Sequence, residues 1–247
     1  MIPNPIHKVL STFQSFGVRA LLMGGQACVF YGGAEFSRDT DFAILADEGN
    51  LLKLTAAMKH LQAQVIAVPS FDPAFLEKGH AIHFRCQHPD CQGMRVDVMS
   101  KMRGVSAFVE LWERRTVIQG ADGTLYDIMS LPDLVAAKKT QRDKDWPMIR
   151  RLIEADHAAS PEPTNAQIQF WLTEGRSPPL LLSLAASHPT IALQISQNRP
   201  AIAAALQADE SATEAALRIE EDAERQADRA YWAPLKRELE ALRHARH

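Results

Sequence analysis

The sequence predicts an α+β chain: a mixed sheet with flanking helices over residues 1–130, followed by an all-helical domain over residues 131–247. Three observations carry this expectation. Strand-like and helix-like runs alternate as far as Ile128, which indicates a mixed sheet with helices packed against it. Within that part, Leu21 to Leu45 reads as a short apolar strand, a Gly-Gly turn, one or two helical turns, and a second strand carrying Asp39 and Asp41. Beyond Met129 the patterns are helical, punctuated by Pro178-Pro179, Pro189, Pro200 and Pro234, with no glycine after Gly175.

Taken in order, Ile6, Val9, Leu10 and Phe13 fall at helical spacing and predict a helix over Pro5 to Phe16, which Gly17 ends before a strand over Val18 to Met23. After the acid-bearing strand, Asp47 to Ala63 is an amphipathic helix with Leu51, Leu54, Met58 and Leu61 on one face, and Gln64 to Val68 is the next strand. The runs AIHFRC and MRVDVMS flank a QHPDCQG turn, so Asp97 is expected on the return strand of a hairpin. Val105 to Trp112 reads as a helix, and Thr116 to Ile128 as two strands joined by an ADGT turn. The helix over Leu131 to Thr140 has Pro132 in its first turn and gathers Lys138, Lys139, Arg142 and Lys144 at its C-terminal end.

Composition narrows the function classes. The chain has 247 residues, 46% of them hydrophobic, enough for the cores of two domains. A net charge of -3 gives no global basic field for nucleic acid. Three cysteines and the absence of a charged-then-apolar leader argue against a disulfide-stapled secreted fold. The longest apolar run, Leu180 to Ala186, is too short to span a bilayer, so a cytoplasmic protein without a membrane partner is expected.

The chemistry concentrates in the acids. Side chains two apart on a strand share a face, so Asp39 and Asp41 project together while Thr40 turns away. Two carboxylates held that close repel unless something neutralises them. Mg²⁺ does so with carboxylate, phosphate and water oxygens, and a pair of such ions can activate a hydroxyl and steady a leaving pyrophosphate. Gly24 and Gly25 lack the Cβ that would keep backbone N–H groups away from a phosphate. Asp97 sits between Val96 and Val98 in a buried-looking run, where an unpaired carboxylate costs several kcal/mol, so it is expected to have a partner.

The segment MGGQA (Met23 to Ala27), Tyr31-Gly32 at the end of the helix, and SRDTDFAI (Ser37 to Ile44) resemble the Gly-Gly, spacer, acid-x-acid signature of the DNA polymerase β-like nucleotidyltransferase superfamily, and most of all its minimal and abortive-infection toxin branches. The resemblance implies that Asp39 and Asp41 bind the metal, that Gly24 and Gly25, with Ser37 and Arg38, hold the nucleotide, and that Asp97 is the third, catalytic and metal-binding acid. LPDLVAAKKTQRDKDWPMI resembles the family segment in which a helix presents a lysine to the triphosphate, which falls on Lys138 or Lys139, with Lys144-Asp145 closing the motif. The implied activity is Mg²⁺-dependent transfer of a nucleoside monophosphate from an NTP co-substrate to a hydroxyl. For the acceptor, the toxin branches suggest RNA, tRNA in particular, or a partner protein, with an antitoxin as a further partner. Aminoglycoside-modifying relatives suggest a small molecule instead, and a binding or antitoxin-like module without turnover is the non-enzymatic alternative.

Two other clusters are weighed and set lower. Cys86, His88 and Cys91 offer soft ligands, but their spacing is not that of a familiar zinc finger and such cysteines more often pack a hairpin, so no zinc is expected there. Arg225, Arg229, Lys236, Arg237, Arg243 and Arg246 would make a basic surface for RNA, but Glu220, Glu221, Asp222, Glu238 and Glu240 interrupt it.

Overall fold

The computed structural model describes residues 4–37, 39–120 and 123–245. Helix α1 (Asn4–Ser15) buries Ile6, Val9, Leu10 and Phe13. It stops where Gly17, at φ +63°, donates its N–H to the carbonyl of Gln14 at 2.9 Å. The fully buried strand β1 (Ala20–Met23) leads into α2 (Gly24–Phe30), and β2 (Asp39–Ile44) returns antiparallel to β1. Asp47 caps α3 (Glu48–His60) by accepting from the Asn50 N–H at 2.7 Å. The buried Asn50 amide accepts from Arg19 N at 2.7 Å and donates to the carbonyls of Arg19 at 3.0 Å and Leu45 at 2.7 Å. One satisfied amide therefore ties the entry of β1 to the exit of β2 and fixes the strand pair that carries the acids.

Next come β3 (Gln64–Val65), α4 (Pro73–Lys78), β4 (Ile82–Arg85), β5 (Arg95–Met99), α5 (Phe108–Glu113), β6 (Thr116–Gln119) and β7 (Leu125–Ile128). The strand expected over Gln64 to Val68 is shorter, and α4 is an addition. Its cues are ordinary ones: Asp72 caps it by accepting from Ala74 N at 2.8 Å, and Gly79 ends it at φ +100°. Among the described residues the seven strands form one mixed sheet in the order β3-β4-β5-β2-β1-β7-β6. The central pair β2 and β5 is parallel, whereas β4 and β5 form the expected antiparallel hairpin.

From Leu131 onward every element is helical: α6 (Leu131–Lys138), α7 (Asp145–Ala159), α8 (Asn165–Glu174), α9 (Pro178–Ser187), α10 (Pro189–Ser196), α11 (Pro200–Leu206) and α12 (Glu210–His244). The prolines that punctuate the sequence open α9, α10 and α11, where a missing N–H costs nothing, while Pro234 lies inside α12. Thr164 and Gln167 form a capping box on α8.

The chain groups into two compact units. One comprises Met1–Val29, Phe36–Ala137 and Trp232–His247, and the other Phe30–Glu35 and Lys138–Tyr231. The first is built on the sheet, with Leu21, Leu22, Phe42, Ile44, Val96 and Val98 in its core. The second buries Trp146, Ile149, Leu152, Trp171 and Leu181, and Trp171 Nε1 donates to Asp156 at 2.7 Å. Among the described residues no helix is long and apolar enough to cross a membrane.

Candidate active site

Period-two alternation sorts the central strands into two faces. Thr40, Phe42 and Ile44 of β2, Val96 and Val98 of β5, and Ile82 and Phe84 of β4 are buried. The residues between them, Asp39 and Asp41, Arg95 and Asp97, and His83 and Arg85, share the opposite face. Thr40 is fully buried with its hydroxyl 3.5 Å from Met94 Sδ, turned away from its two acidic neighbours as expected.

Register then builds two rows across the sheet. Asp41 lies directly opposite Asp97, and Asp97 opposite His83; beside them, Asp39 lies opposite Arg95, and Arg95 opposite Arg85. Direct cross-strand partners interact most strongly, so the acids and bases of this face form one electrostatic unit. The parallel pairing of β2 with β5 places Asp97 beside Asp41.

The Gly-Gly turn has a steric reason in this structure. A Cβ on Gly24, which sits at φ +66°, would lie 2.0 Å from Asp41 Oδ2, and a Cβ on Gly25 would lie 2.6 Å from Ser37 Oγ. Only glycine leaves room for the Asp41 carboxylate and for the Ser37 hydroxyl. Ser37 in turn donates to the carbonyl of Asp39 at 3.2 Å, which ties the loop before β2 to the first acid. Arg38 lies outside the described residues.

Asp97 has the partner its burial demands, and that partner is protein. Arg95 Nε donates to Asp97 Oδ1 at 2.9 Å and Arg95 Nη2 lies 2.9 Å from Oδ2, a two-pronged pair. His83 Nδ1 lies 2.9 Å from Asp97 Oδ1 and 3.1 Å from Arg95 Nη2, so it donates to the carboxylate in one tautomer or accepts from the guanidinium in the other. Burial pushes the Asp97 carboxyl up, but the hydrogen bonds and charges of His83 and Arg95 outweigh it and hold the pKa below the ordinary value. The hydrogen bond to Asp97 leads in pushing the Arg95 pKa up, and the charges of Asp97, Asp39 and Asp41 add to it.

Among the described residues no three His, Cys, Asp or Glu side chains converge to hold a metal ion. The three acids share a face, but Asp97 is turned into its pair with Arg95. The donor set still suits a hard cation. Asp39 and Asp41 offer oxygens from one strand face, and Mg²⁺ takes one or two carboxylates and completes its shell with phosphate and water. At the hairpin turn, Cys86 and Cys91 are fully buried free thiols, hydrogen-bonded to each other, and burial first of all pushes Cys86 up to about 12. The His88 ring accepts from the Asp90 N–H at 3.2 Å and starts the short turn that closes the hairpin.

The two lysines assigned to the triphosphate lie in the second unit, each with an acidic partner there. Buried Lys138 Nζ is 3.3 Å from Asp145 Oδ1, and Lys139 Nζ is 2.7 Å from Glu174 Oε2. Asp145 also accepts from Thr140 at 2.6 Å and Arg142 at 2.7 Å. Each lysine is thus already paired with a carboxylate of its own unit. Sequence reading missed Arg95 and the role of His83. The available signals were position two before Asp97 on the same strand and position opposite it in the hairpin.

The site is one face of the mixed sheet, where Asp39, Asp41 and Asp97 lie in register with Arg95, Arg85 and His83, edged by the glycine turn. No family model and no curated protein matches the sequence. Solved structures similar at a low level include two of one protein. The crystal structure of ANT(2'')-Ia in complex with adenylyl-2''-tobramycin is 12% identical, covering 87% of this chain and 95% of that one, with a TM-score of 0.35. The solution structure of the antibiotic-resistance factor ANT(2'')-Ia is 14% identical, covering 98% and 96%, with a TM-score of 0.36. Likeness at this level assigns no activity.

Proposed function

We propose that the chain is a nucleotidyltransferase that moves a nucleoside monophosphate from an NTP to an acceptor hydroxyl and releases pyrophosphate. The observation that carries this reading is the fit of Gly24 around the Asp41 carboxylate, with Asp97 directly across from Asp41. A sheet that keeps repelling acids in register, and keeps glycine where a methyl group would displace one of them, is built to use them. Divalent magnesium, two ions in the full reading, supplies Lewis-acid polarisation and charge neutralisation when bound. In that reading Asp39 and Asp41 hold it, Asp97 completes the set and orients the acceptor hydroxyl, and the Gly24-Gly25 turn with Ser37 keeps the first acids and the phosphates in place. In the transfer, the acceptor oxygen bonds to the α-phosphorus as the bond to the bridging oxygen breaks. The acceptor proton passes to a carboxylate and the pyrophosphate leaves.

For the acceptor we favour a small cationic molecule of aminoglycoside type. A net charge of -3 gives no global basic field to hold RNA, and in the interrupted basic run of α12 Arg225 is engaged within the protein. Arg225 pairs with Asp143 at 2.6 Å and with Glu221, one turn away. A hydroxyl of RNA or protein, and with it a toxin role and an antitoxin partner, has less support.

Titrating Mg²⁺ and a nonhydrolysable NTP into wild type and the Asp39→Ala, Asp41→Ala double variant tests the metal assignment. Metal-dependent nucleotide binding should disappear in the double variant; unchanged binding would sink the assignment.

A further inference from the structure

We propose that Arg95 is the resident cation of the acidic face. Its guanidinium keeps Asp97 out of the metal set, and a divalent ion gains Asp97 as a ligand only once the phosphates of an incoming nucleotide draw the guanidinium away. The proposal rests on the nucleotidyl-transfer reading for the metal and the nucleotide, and adds that metal binding at this site waits for nucleotide.

Four observations support it. Both prongs of Arg95 are on Asp97, at 2.9 Å each, and its row partner is Asp39. The three carboxylates lie on neighbouring strands, which run roughly 5 Å apart, so a cation among them relieves repulsion that would otherwise draw in a metal. Arg95 is 39% exposed against 14% for Asp97, so the guanidinium has a route out while the carboxylate does not. A fork that fits a carboxylate fits a phosphate equally well, which gives nucleotide the means to exchange one partner for the other. His83, 2.9 Å from Asp97, holds the carboxylate in place during the exchange.

The test is Mn²⁺ binding followed by electron paramagnetic resonance, with and without each α,β-methylene NTP. Wild type should bind Mn²⁺ weakly alone and more tightly with nucleotide. Arg95→Gln should bind Mn²⁺ without nucleotide about 10-fold more tightly than wild type. That gain should vanish when Asp97→Asn is added, and Arg95→Lys, which keeps a charge but loses the fork, should fall between. Circular dichroism melts establish that each variant is folded; should Arg95→Gln fail to fold, the Arg95→Lys comparison decides. Nucleotide-dependent Mn²⁺ binding in wild type with no gain in the folded variants would overturn the role of Arg95 alone. Absence of Mn²⁺ binding from every protein under every condition would overturn the metal site itself and this proposal with it.

Discussion

Gly24→Ala should leave a folded protein that transfers nucleotide at least about 100-fold more slowly. The φ of +66° costs a residue with a Cβ roughly 1–2 kcal/mol, which a sheet with this core survives. The larger effect is steric. The new methyl carbon would sit 2.0 Å from Asp41 Oδ2 and 2.7 Å from Asp41 Cγ, so the carboxylate must move by about an ångström or more to restore van der Waals contact. On the proposed function, in which Asp41 holds the metal, a displacement of that size takes the reacting atoms out of line. Melting temperature and single-turnover transfer, measured on one preparation, separate the two effects. A folded Gly24→Ala protein with wild-type transfer would show that the position of Asp41 does not matter.

The second large effect is on stability. Asp145 is buried and accepts from Lys138, Thr140 and Arg142, so Asp145→Asn removes the charge that compensates Lys138, itself 8% exposed. Breaking a buried pair from one side typically costs about 3–5 kcal/mol, and the variant should lose that much at neutral pH. The pH dependence has a definite sign. Burial raises the Asp145 pKa, but the charge of Lys138, the Thr140 hydroxyl and Arg142 bring it below its ordinary value. A lowered folded pKa means that the stabilisation is complete above the unfolded value of about 3.9 and is lost as the pH falls through the folded value. The gap between wild type and Asp145→Asn in denaturant titrations should therefore be constant from pH 5 to 7 and narrow below about pH 4. A gap that widened in acid would contradict the pairing.

Local patterns carried much of this fold because its central elements obey local rules. The run from β1 through the glycine turn to β2 was legible from apolar spacing and from the D-x-D period, and the hairpin bearing Asp97 from its Pro-Asp-Gly turn. The parallel register that sets Asp41 against Asp97 was not, because pairing between strands about 55 residues apart leaves no trace in either segment alone. The fork of Arg95 follows from that register and from the burial of Asp97, so the sequence announced a partner without naming it. Lys138 shows what a local pattern leaves open. A basic helix end looks the same whether it meets a phosphate or a carboxylate seven residues on, and here Asp145 is that carboxylate. The charges of α12 were readable in principle, since Arg218 and Arg225 each follow a glutamate by one helical turn.

The most direct measurement incubates the protein with each α-labelled NTP and Mg²⁺ in the presence of aminoglycosides, total RNA or total protein, and follows label on the acceptor together with pyrophosphate. Wild type should label one acceptor class, the small cationic molecules, releasing one pyrophosphate per label. Asp41→Asn, which keeps the shape of the side chain beside Gly24 but not its charge, should release none above background while melting near the wild-type temperature. Label on RNA or protein instead would move the acceptor and leave the chemistry standing. Undiminished transfer by a folded Asp41→Asn protein, or no transfer by wild type to any acceptor, would contradict nucleotidyl transfer at this site.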